Sequence, residues 1–385
     1  MRATFLIMII LLFAGLDVIA QSSTEATENN QITQTSAPDD KPKSTGVSKL
    51  TEEELTRMVF DAINAKDSAQ LIPLLNALMY YRHNEAGETA LTQAIVNKDP
   101  MMVGLLAREA VINLKNKAGE TPLTLALKLG NLEIIQLISQ RAKAGLKNDK
   151  DESPLMLTIE RFDDLFLLQE LIDKGADVNN KSNGITPIAR ATELGKIQTV
   201  ALLLRNGADA SKPNANGELP LFIAVQHNFD AIAGMLLYKS KQAEKDANWK
   251  NKIGETLLNL AATQGNGRLV NILLEYGADP KGGDYLENTG LHIAAEKGNI
   301  EMARTLLEKG APADQPNMLG TTPIMAAAQN KHNEIAKLLA EYGANPERRN
   351  FAGIAANDFG VYSIKASIQA QYEQLVDSQL QTSKN

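Results

Sequence analysis

The side chains best suited to proton transfer or metal binding near neutral pH are the four histidines of this 385-residue chain. His83, His227, His292 and His332 are isolated, and the chain contains no cysteine. No pair of them has metal-ligand spacing with a cysteine or a carboxylate. The motifs of a nucleophilic serine elbow, a phosphate-binding loop and a dinucleotide-binding turn are also missing from the sequence. We therefore expect a protein that is not an enzyme and that uses no cofactor and no metal.

The charge balance argues against nucleic acid as the main ligand. The formal net charge is −7 and the pI is about 5.4, whereas nucleic-acid-binding domains present clustered positive charge. The many acidic residues are most simply explained as solvated faces.

A repeated stretch of about ten residues indicates the fold class. The segment from Gly320 to Gln329 reads Gly-Thr-Thr-Pro-Ile-Met-Ala-Ala-Ala-Gln, and altered copies recur along most of the chain. The third residues of the nine copies stand at positions 89, 121, 153, 186, 219, 256, 289, 322 and 355. Their spacing is 32 or 33 residues, with one step of 37. A period in this range is typical of a stacked repeat array.

Each residue type in the repeat has a structural reason. Thr or Ser caps a helix, and the Pro after it is tolerated in the first helical turn. Leu291, Ala294 and Ala295 predict a thin face on this first helix. Gly298 is placed to end it in a left-handed conformation, and the apolar spacing from Asn299 to Leu307 predicts a second, amphipathic helix.

These residues resemble the ankyrin repeat over about residues 84–360. The resemblance implies an all-α solenoid of stacked helix-turn-helix units with β-turn fingers, about eight full repeats plus N- and C-terminal caps. It gives His292 a structural role. It also implies a concave groove, formed by the finger tips and the exposed ends of the first helices, in which a protein partner binds.

Short polar residues precede the fingers. An Asx residue stands three positions before the finger residue in eight of the nine copies, and Lys181 is the exception. Such side chains can hydrogen-bond local backbone at a turn. The family resemblance further implies that this position ties one finger to the next. The eight are Asn84, Asn116, Asn148, Asn214, Asn251, Asp284, Asn317 and Asn350.

The two ends of the chain differ from the repeats. Residues 1–20 have a charged start at Arg2, an apolar core and a small-residue cleavage site, which predicts a secretory signal peptide. An uncleaved membrane anchor is the competing interpretation, although the apolar run is short for one. Residues 21–48 have the composition of a disordered linker. With no cysteine in an exported chain, we expect a bacterial protein that is periplasmic or secreted.

Capping elements are expected on both sides of the repeats at 84–350. Residues 49–83 predict N-terminal capping helices at 52–65 and 68–80, beginning with a capping box of Thr51 and Glu54. Residues 351–385 predict a degenerate repeat and a C-terminal capping helix at 361–380. Partner binding by that last helix is the alternative.

The longest step between copies holds an insertion at 238–250, which contains the only tryptophan, Trp249. We expect the second helix of this repeat to be longer and its finger to be displaced. Insertions in such arrays often lie on a binding face. Packing of Trp249 under the next finger is an equal alternative.

The finger tips differ between the two halves of the array. The N-terminal tips are polar or charged, whereas the C-terminal tips are apolar, and a contiguous apolar row indicates a contact surface. Packing of finger against finger is the alternative. The predicted partner-binding residues are Ile253, Tyr285, Leu286, Met318, Leu319, Phe351 and Trp249.

The leading functional hypothesis is a monomeric, non-catalytic scaffold that binds a protein partner, with no integral membrane segment after signal cleavage. A secreted host-directed effector that acts by binding a host protein is the second hypothesis. An enzyme with a site in the 238–250 insertion is a third, from another class, and no motif supports it.

Overall fold

The computed structural model of the chain describes residues 50–75 and 82–359. These residues form α-helices, a short 3-10 helix and isolated β-bridges, so the expected all-α repeat fold is confirmed. The predicted signal peptide, the linker, the C-terminal capping helix and residues 76–80 of the second capping helix lie outside the described residues. The domain boundaries drawn from the sequence stay a prediction.

The chain divides into two compact units, Met1–Asp209 and Ala210–Asn385. In unit 1 the helices come in pairs; the first pair lies in the predicted N-terminal cap, and each later pair is the first and second helix of a repeat. They are α1 (Glu52–Asn64), α2 (Ser68–Leu74), α3 (Ala90–Val96), α4 (Pro100–Leu106), α5 (Pro122–Leu129), α6 (Leu132–Ser139), α7 (Pro154–Arg161), α8 (Leu165–Asp173), α9 (Pro187–Glu193) and α10 (Ile197–Arg205).

Unit 2 repeats the same arrangement of helix pairs, with one additional helix. Its helices are α11 (Pro220–Gln226), α12 (Asp230–Lys239), α13 (Ala243–Ala247), α14 (Leu257–Thr263), α15 (Gly267–Glu275), α16 (Gly290–Lys297), α17 (Ile300–Glu308), α18 (Pro323–Gln329) and α19 (Asn333–Glu341), followed by the 3-10 helix Ala356–Phe359.

The helix starts follow the expected chemistry. The capping box of Thr51 and Glu54 is confirmed. The hydroxyl of Thr121 accepts the N–H of Thr124 at 3.1 Å, and four other first helices are capped by Thr or Ser in the same way. Thr289 instead meets a histidine ring, and Leu219 has no hydroxyl to offer. A side chain that caps an unpaired backbone N–H at a helix start typically contributes about 1 kcal/mol to stability.

Small residues allow the first helices to pack closely within each unit. In unit 2, α14, α16 and α18 pack in succession, and Ala294 and Ala295 are fully buried between them. The second helices contribute larger side chains, such as Leu306, which is also fully buried. Burying one such leucine contributes about 2 kcal/mol. The core of each unit therefore lies between the two helix layers and between successive repeats.

The insertion lengthens the second helix by only one residue, since α12 has 10 residues and the neighbouring second helices have 9, and it adds a separate helix. Helix α12 ends at Lys239, and Ser240 is extended, with φ −67° and ψ 134°. The extra residues form the separate helix α13, whose Asp246 is buried and accepts a hydrogen bond from the hydroxyl of Ser240 at 2.5 Å. The polar anchor Asp246 and its serine partner favour a turn here over continuation of the helix.

We predict that Gly320→Ala destabilises the chain more than Gly217→Ala. Both glycines have positive φ, +74° and +84°, a conformation that costs alanine about 1 kcal/mol. A Cβ on Gly320 would also lie 3.1 Å from the backbone nitrogen of Phe351, whereas one on Gly217 would meet nothing within 4 Å. Urea unfolding should show an extra loss of about 1 kcal/mol for Gly320→Ala. Equal losses would show that close finger approach does not matter.

Candidate functional site

Each finger is held by the predicted Asx turn. In all eight Asx copies, the side-chain Oδ1 accepts the backbone N–H of the residue four positions later, at 2.8–3.0 Å. The hydrogen bond closes the turn before the next first helix begins. The prediction of local hydrogen bonds at these positions is confirmed.

Neighbouring fingers are also joined to each other. The amide Nδ2 of Asn116 donates to Glu88 at 2.9 Å, and that of Asn317 donates to Asn288 at 2.8 Å, each in the preceding repeat. The tie that the family resemblance implied is therefore present at these positions. Backbone bonds add to it, since the N–H of Met318 donates to the oxygen of Leu286 at 2.9 Å.

The apolar tips of unit 2 lie on consecutive fingers and are exposed. The N–H of Phe351 donates to the oxygen of Leu319 at 3.2 Å, which places the last two tips side by side. The five exposed tip residues, here named the tip row, are Ile253 (64% exposed), Tyr285 (65%), Met318 (55%), Leu319 (60%) and Phe351 (85%). Finger-to-finger packing thus leaves more than half of each of these side chains in solvent.

Two predicted site residues are placed differently from the tip row. Leu286 is only partly exposed, and its backbone oxygen serves the bond between fingers. Trp249 is partly buried against Phe222 of α11, with ring centroids 4.9 Å apart and planes tilted by 42°. Trp249 therefore packs within its own repeat, and its packing under the next finger stays an untested alternative. Whether either residue touches a partner stays a prediction.

The fingers of unit 1 contain a polar network instead. Glu120 belongs to one of the charged N-terminal tips, yet it is only 7% exposed. Its carboxylate accepts hydrogen bonds from Lys128 at 2.6 Å, from Asn148 at 2.9 Å and from the hydroxyl of Thr124 at 2.9 Å. Lys128 also pairs with Glu152 of the next repeat. These contacts join neighbouring repeats, and sequence spacing gave no signal for them.

Burial and hydrogen bonding act in opposite directions on this network. Burial opposes ionisation of Glu120, but the bonds from Lys128 and Asn148 outweigh it and lower the pKa of the carboxyl. Burial likewise disfavours the charged form of Lys128, yet the two glutamates hold its pKa above the ordinary value. Glu120, Glu152 and Lys128 are therefore all ionised at neutral pH. The charge of each group is stabilised by the opposite charge beside it.

The histidines have structural partners. The Nε2 of His292 donates to the backbone oxygen of Thr321 at 3.0 Å, and its Nδ1 accepts the N–H of Thr289 at 3.1 Å. Burial lowers the pKa of His292, so the ring is neutral. The rings of His83 and His332 hydrogen-bond backbone oxygens of neighbouring repeats, and His227 stacks on a phenylalanine.

A cavity of about 370 Å³ lies beside the insertion in unit 2. Asn248, Lys250, Thr256 and Asp279 contribute its polar lining. The Oδ1 of Asp279 accepts the N–H of Lys281 at 2.9 Å, so this carboxylate already closes a turn. The hydroxyl of Thr256 accepts the N–H of Asn259 at 3.1 Å and so caps α14.

In residues 50–75 and 82–359, no three His, Cys, Asp or Glu side chains gather in a group that could hold a metal ion. None of the helices in these same segments is long and apolar enough to span a bilayer.

The structure is that of a solenoid repeat protein. It consists of stacked helix pairs with fingers joined to one another, and its tip row is exposed to solvent. A family model described as ankyrin repeats (3 copies) matches overlapping segments that together run from residue 61 to residue 350. These segments cover more than half of the chain, and the chain belongs to the ankyrin repeat family.

Relatives share parts of this array. Alpha-latrotoxin-Lg1a of Latrodectus geometricus is 34% identical over 109 residues, which are 28% of this chain and 8% of that protein. Potassium channel AKT1 of Oryza sativa subsp. indica is 40% identical over 81 residues, covering 21% and 8%. Ankyrin repeat and SOCS box protein 3 of Homo sapiens is 32% identical over 102 residues, covering 26% and 20%. The chain thus spans a small part of the length of these relatives.

A solved structure also resembles the chain. It is the crystal structure of an ankyrin repeat domain from Acinetobacter baumannii AYE, 28% identical, with a TM-score of 0.42. The match covers 45% of this chain and 89% of that one.

We predict that Lys128→Met destabilises unit 1 by about 2 kcal/mol at pH 7, because it leaves the buried carboxylate of Glu120 without its cation. The exposed Lys117→Met should change stability by less than about 0.5 kcal/mol. Because the folded-state pKa of Glu120 is lowered, its stabilising contribution is present above its ordinary value of 4.5 and is lost as the pH falls through the folded pKa. The difference between wild type and Lys128→Met should therefore shrink on acidification. A constant difference between pH 7 and pH 3 would contradict this role.

Proposed function

We propose that this chain is a non-catalytic scaffold that binds a partner protein through the finger and first-helix surface of unit 2. Ankyrin repeats generally mediate protein–protein interaction, and the family supports this class of function. The observation that carries the proposal is the tip row, five apolar or aromatic side chains that are each more than half exposed on adjacent fingers.

The chemistry of the tip row fits a protein partner. Aromatic and methionine side chains are enriched at the centres of protein interfaces, where they fill pockets and exclude water. Tyr285 adds a hydroxyl that can hydrogen-bond while its ring is buried. Because tied backbones hold the fingers, the row loses little conformational freedom on binding. The partner surface should therefore be apolar with a few hydrogen-bonding groups.

We predict that the triple change Tyr285→Ser, Met318→Ser and Leu319→Ser weakens partner binding at least 100-fold while the melting curve stays nearly unchanged. The partner is first captured from the envelope fraction of the producing cell, then purified and measured by calorimetry. Tyr342→Ser is the matched control, since Tyr342 is 45% exposed just after the end of α19 and lies outside the tip row. A large loss of thermal stability in the triple variant would instead assign these residues to the core.

We further propose that the chain is exported and acts in the periplasm or outside the cell. Support comes from the charged start, apolar core and small-residue cleavage site in residues 1–20. We predict a mature chain that begins at Gln21. N-terminal sequencing of the chain recovered from periplasm, medium and cytoplasm tests this. An intact chain in the cytoplasm would contradict export, and a mature chain confined to the periplasm would exclude a host-directed effector.

A further inference from the structure

A second exposed apolar row lies on unit 1, at the turns that connect the first helix of each repeat to the second. Its members come from four successive repeats, and each is 38–66% exposed. We name them the connector row. They are Val96, Met101, Leu129, Leu132, Phe166, Leu194 and Ile197.

Hydrogen bonds show that successive connectors touch. The guanidinium of Arg161 donates to the backbone oxygen of Lys128 at 3.3 Å, which joins the second and third connectors. The amine of Lys196 donates to the oxygen of Phe162 at 2.6 Å, which joins the third and fourth. Stacked helices lie about 8–10 Å apart. The helices that carry the first connector also pack on those of the second repeat, so the connector row follows four neighbouring connectors.

The same turn in unit 2 is built differently. There, Gln264 donates to the oxygen of Gln226 at 2.9 Å, and Asn266 donates to Asn228 at 3.2 Å. The turn thus folds well with polar residues at its surface. The apolar residues of the connector row are not required by the turn geometry, and they need another reason to be exposed.

The exposed area of the connector row is comparable with one side of a stable protein interface. From exposed fractions of 38–66%, its seven residues together expose on the order of 600 Å², the upper end for the largest patch on a soluble monomer. A stable protein interface buries about 800 Å² on each partner. The connector row with its polar border has this size.

Four of the exposed charges that border the row alternate in sign. Lys98, Glu133, Arg161 and Glu193 come one from each connector, from the first to the fourth, and Glu193 also pairs with Arg190 of its own chain at 2.7 Å. In a contact between two copies related by a two-fold axis, the first connector of one faces the fourth of the other. Lys98 then meets Glu193, and Glu133 meets Arg161. Glu160 and Asp163, also exposed, have no counterpart in this arrangement.

We propose that the connector row is a self-association surface, on which a second copy of this chain packs about a two-fold axis. The patch size and the alternating charges both fit this occupant, and a two-fold contact uses the same patch on both copies. The dimer contact lies in unit 1, whereas the proposed partner-binding tip row lies in unit 2. Self-association and partner binding therefore use different residues.

Sedimentation velocity of the full chain tests the proposal. We expect a monomer–dimer equilibrium with a dissociation constant on the order of micromolar. Leu132→Ser with Phe166→Ser should weaken the dimer at least tenfold without lowering the melting midpoint by more than a few degrees. The tip-row triple variant is the control and should dimerise like wild type. A monomer at all concentrations up to about 100 µM, or a dimer lost only in the tip-row variant, overturns the proposal.

A charge exchange tests the two-fold arrangement. Lys98→Glu should weaken the dimer several-fold, because it places two acidic side chains opposite each other. Adding Glu193→Lys to the same chain should restore most of the affinity. Arg190 keeps Glu160 as an ion-pair partner in this double variant. Failure of the second change to restore dimerisation would refute pairing of the first connector with the fourth.

Discussion

The structure depends on the fact that one pair of short helices cannot cover its own apolar faces. Each first helix of seven or eight residues presents small side chains such as Ala294 and Ala295, and only the next repeat can bury them. Helices this short are unstable alone in water. Stability therefore arises from nearest-neighbour packing, and chemistry at a single deep centre has little room to develop.

Polar contacts then set how closely and in which register the repeats pack within a unit. Asn116 and Asn317 each close their own turn and reach back to the preceding repeat. The buried Glu120–Lys128 ion pair also joins neighbouring repeats, and leaving either charge unpaired there would cost free energy. Such bonds favour one arrangement of neighbours over shifted ones. They hold the finger tips at fixed separations, which a binding surface requires.

The surface of the molecule divides its apolar residues between two places. In unit 2 the most exposed ones lie on the fingers, as with Tyr285, whereas the connector that contains Gln264 and Asn266 is polar. In unit 1 they lie on the connectors, as with Phe166, and a finger residue such as Glu120 belongs to a charged network. Each unit thus keeps one edge apolar, and the two contacts that we propose, with a partner protein and with a second copy, use different edges.

The sequence by itself determined the period, the helix pairs and the Asx turns, because these follow from local chemistry that recurs at a fixed spacing. It also indicated the tip row, since tip positions can be counted from the finger residue. Tertiary packing decided what counting could not. It buried Glu120, set Trp249 against Phe222 and formed a separate helix in the insertion. It also left Phe166 in solvent, although its spacing alone is compatible with a core position. Exposure depends on which neighbours are present, and only the folded stack supplies those neighbours.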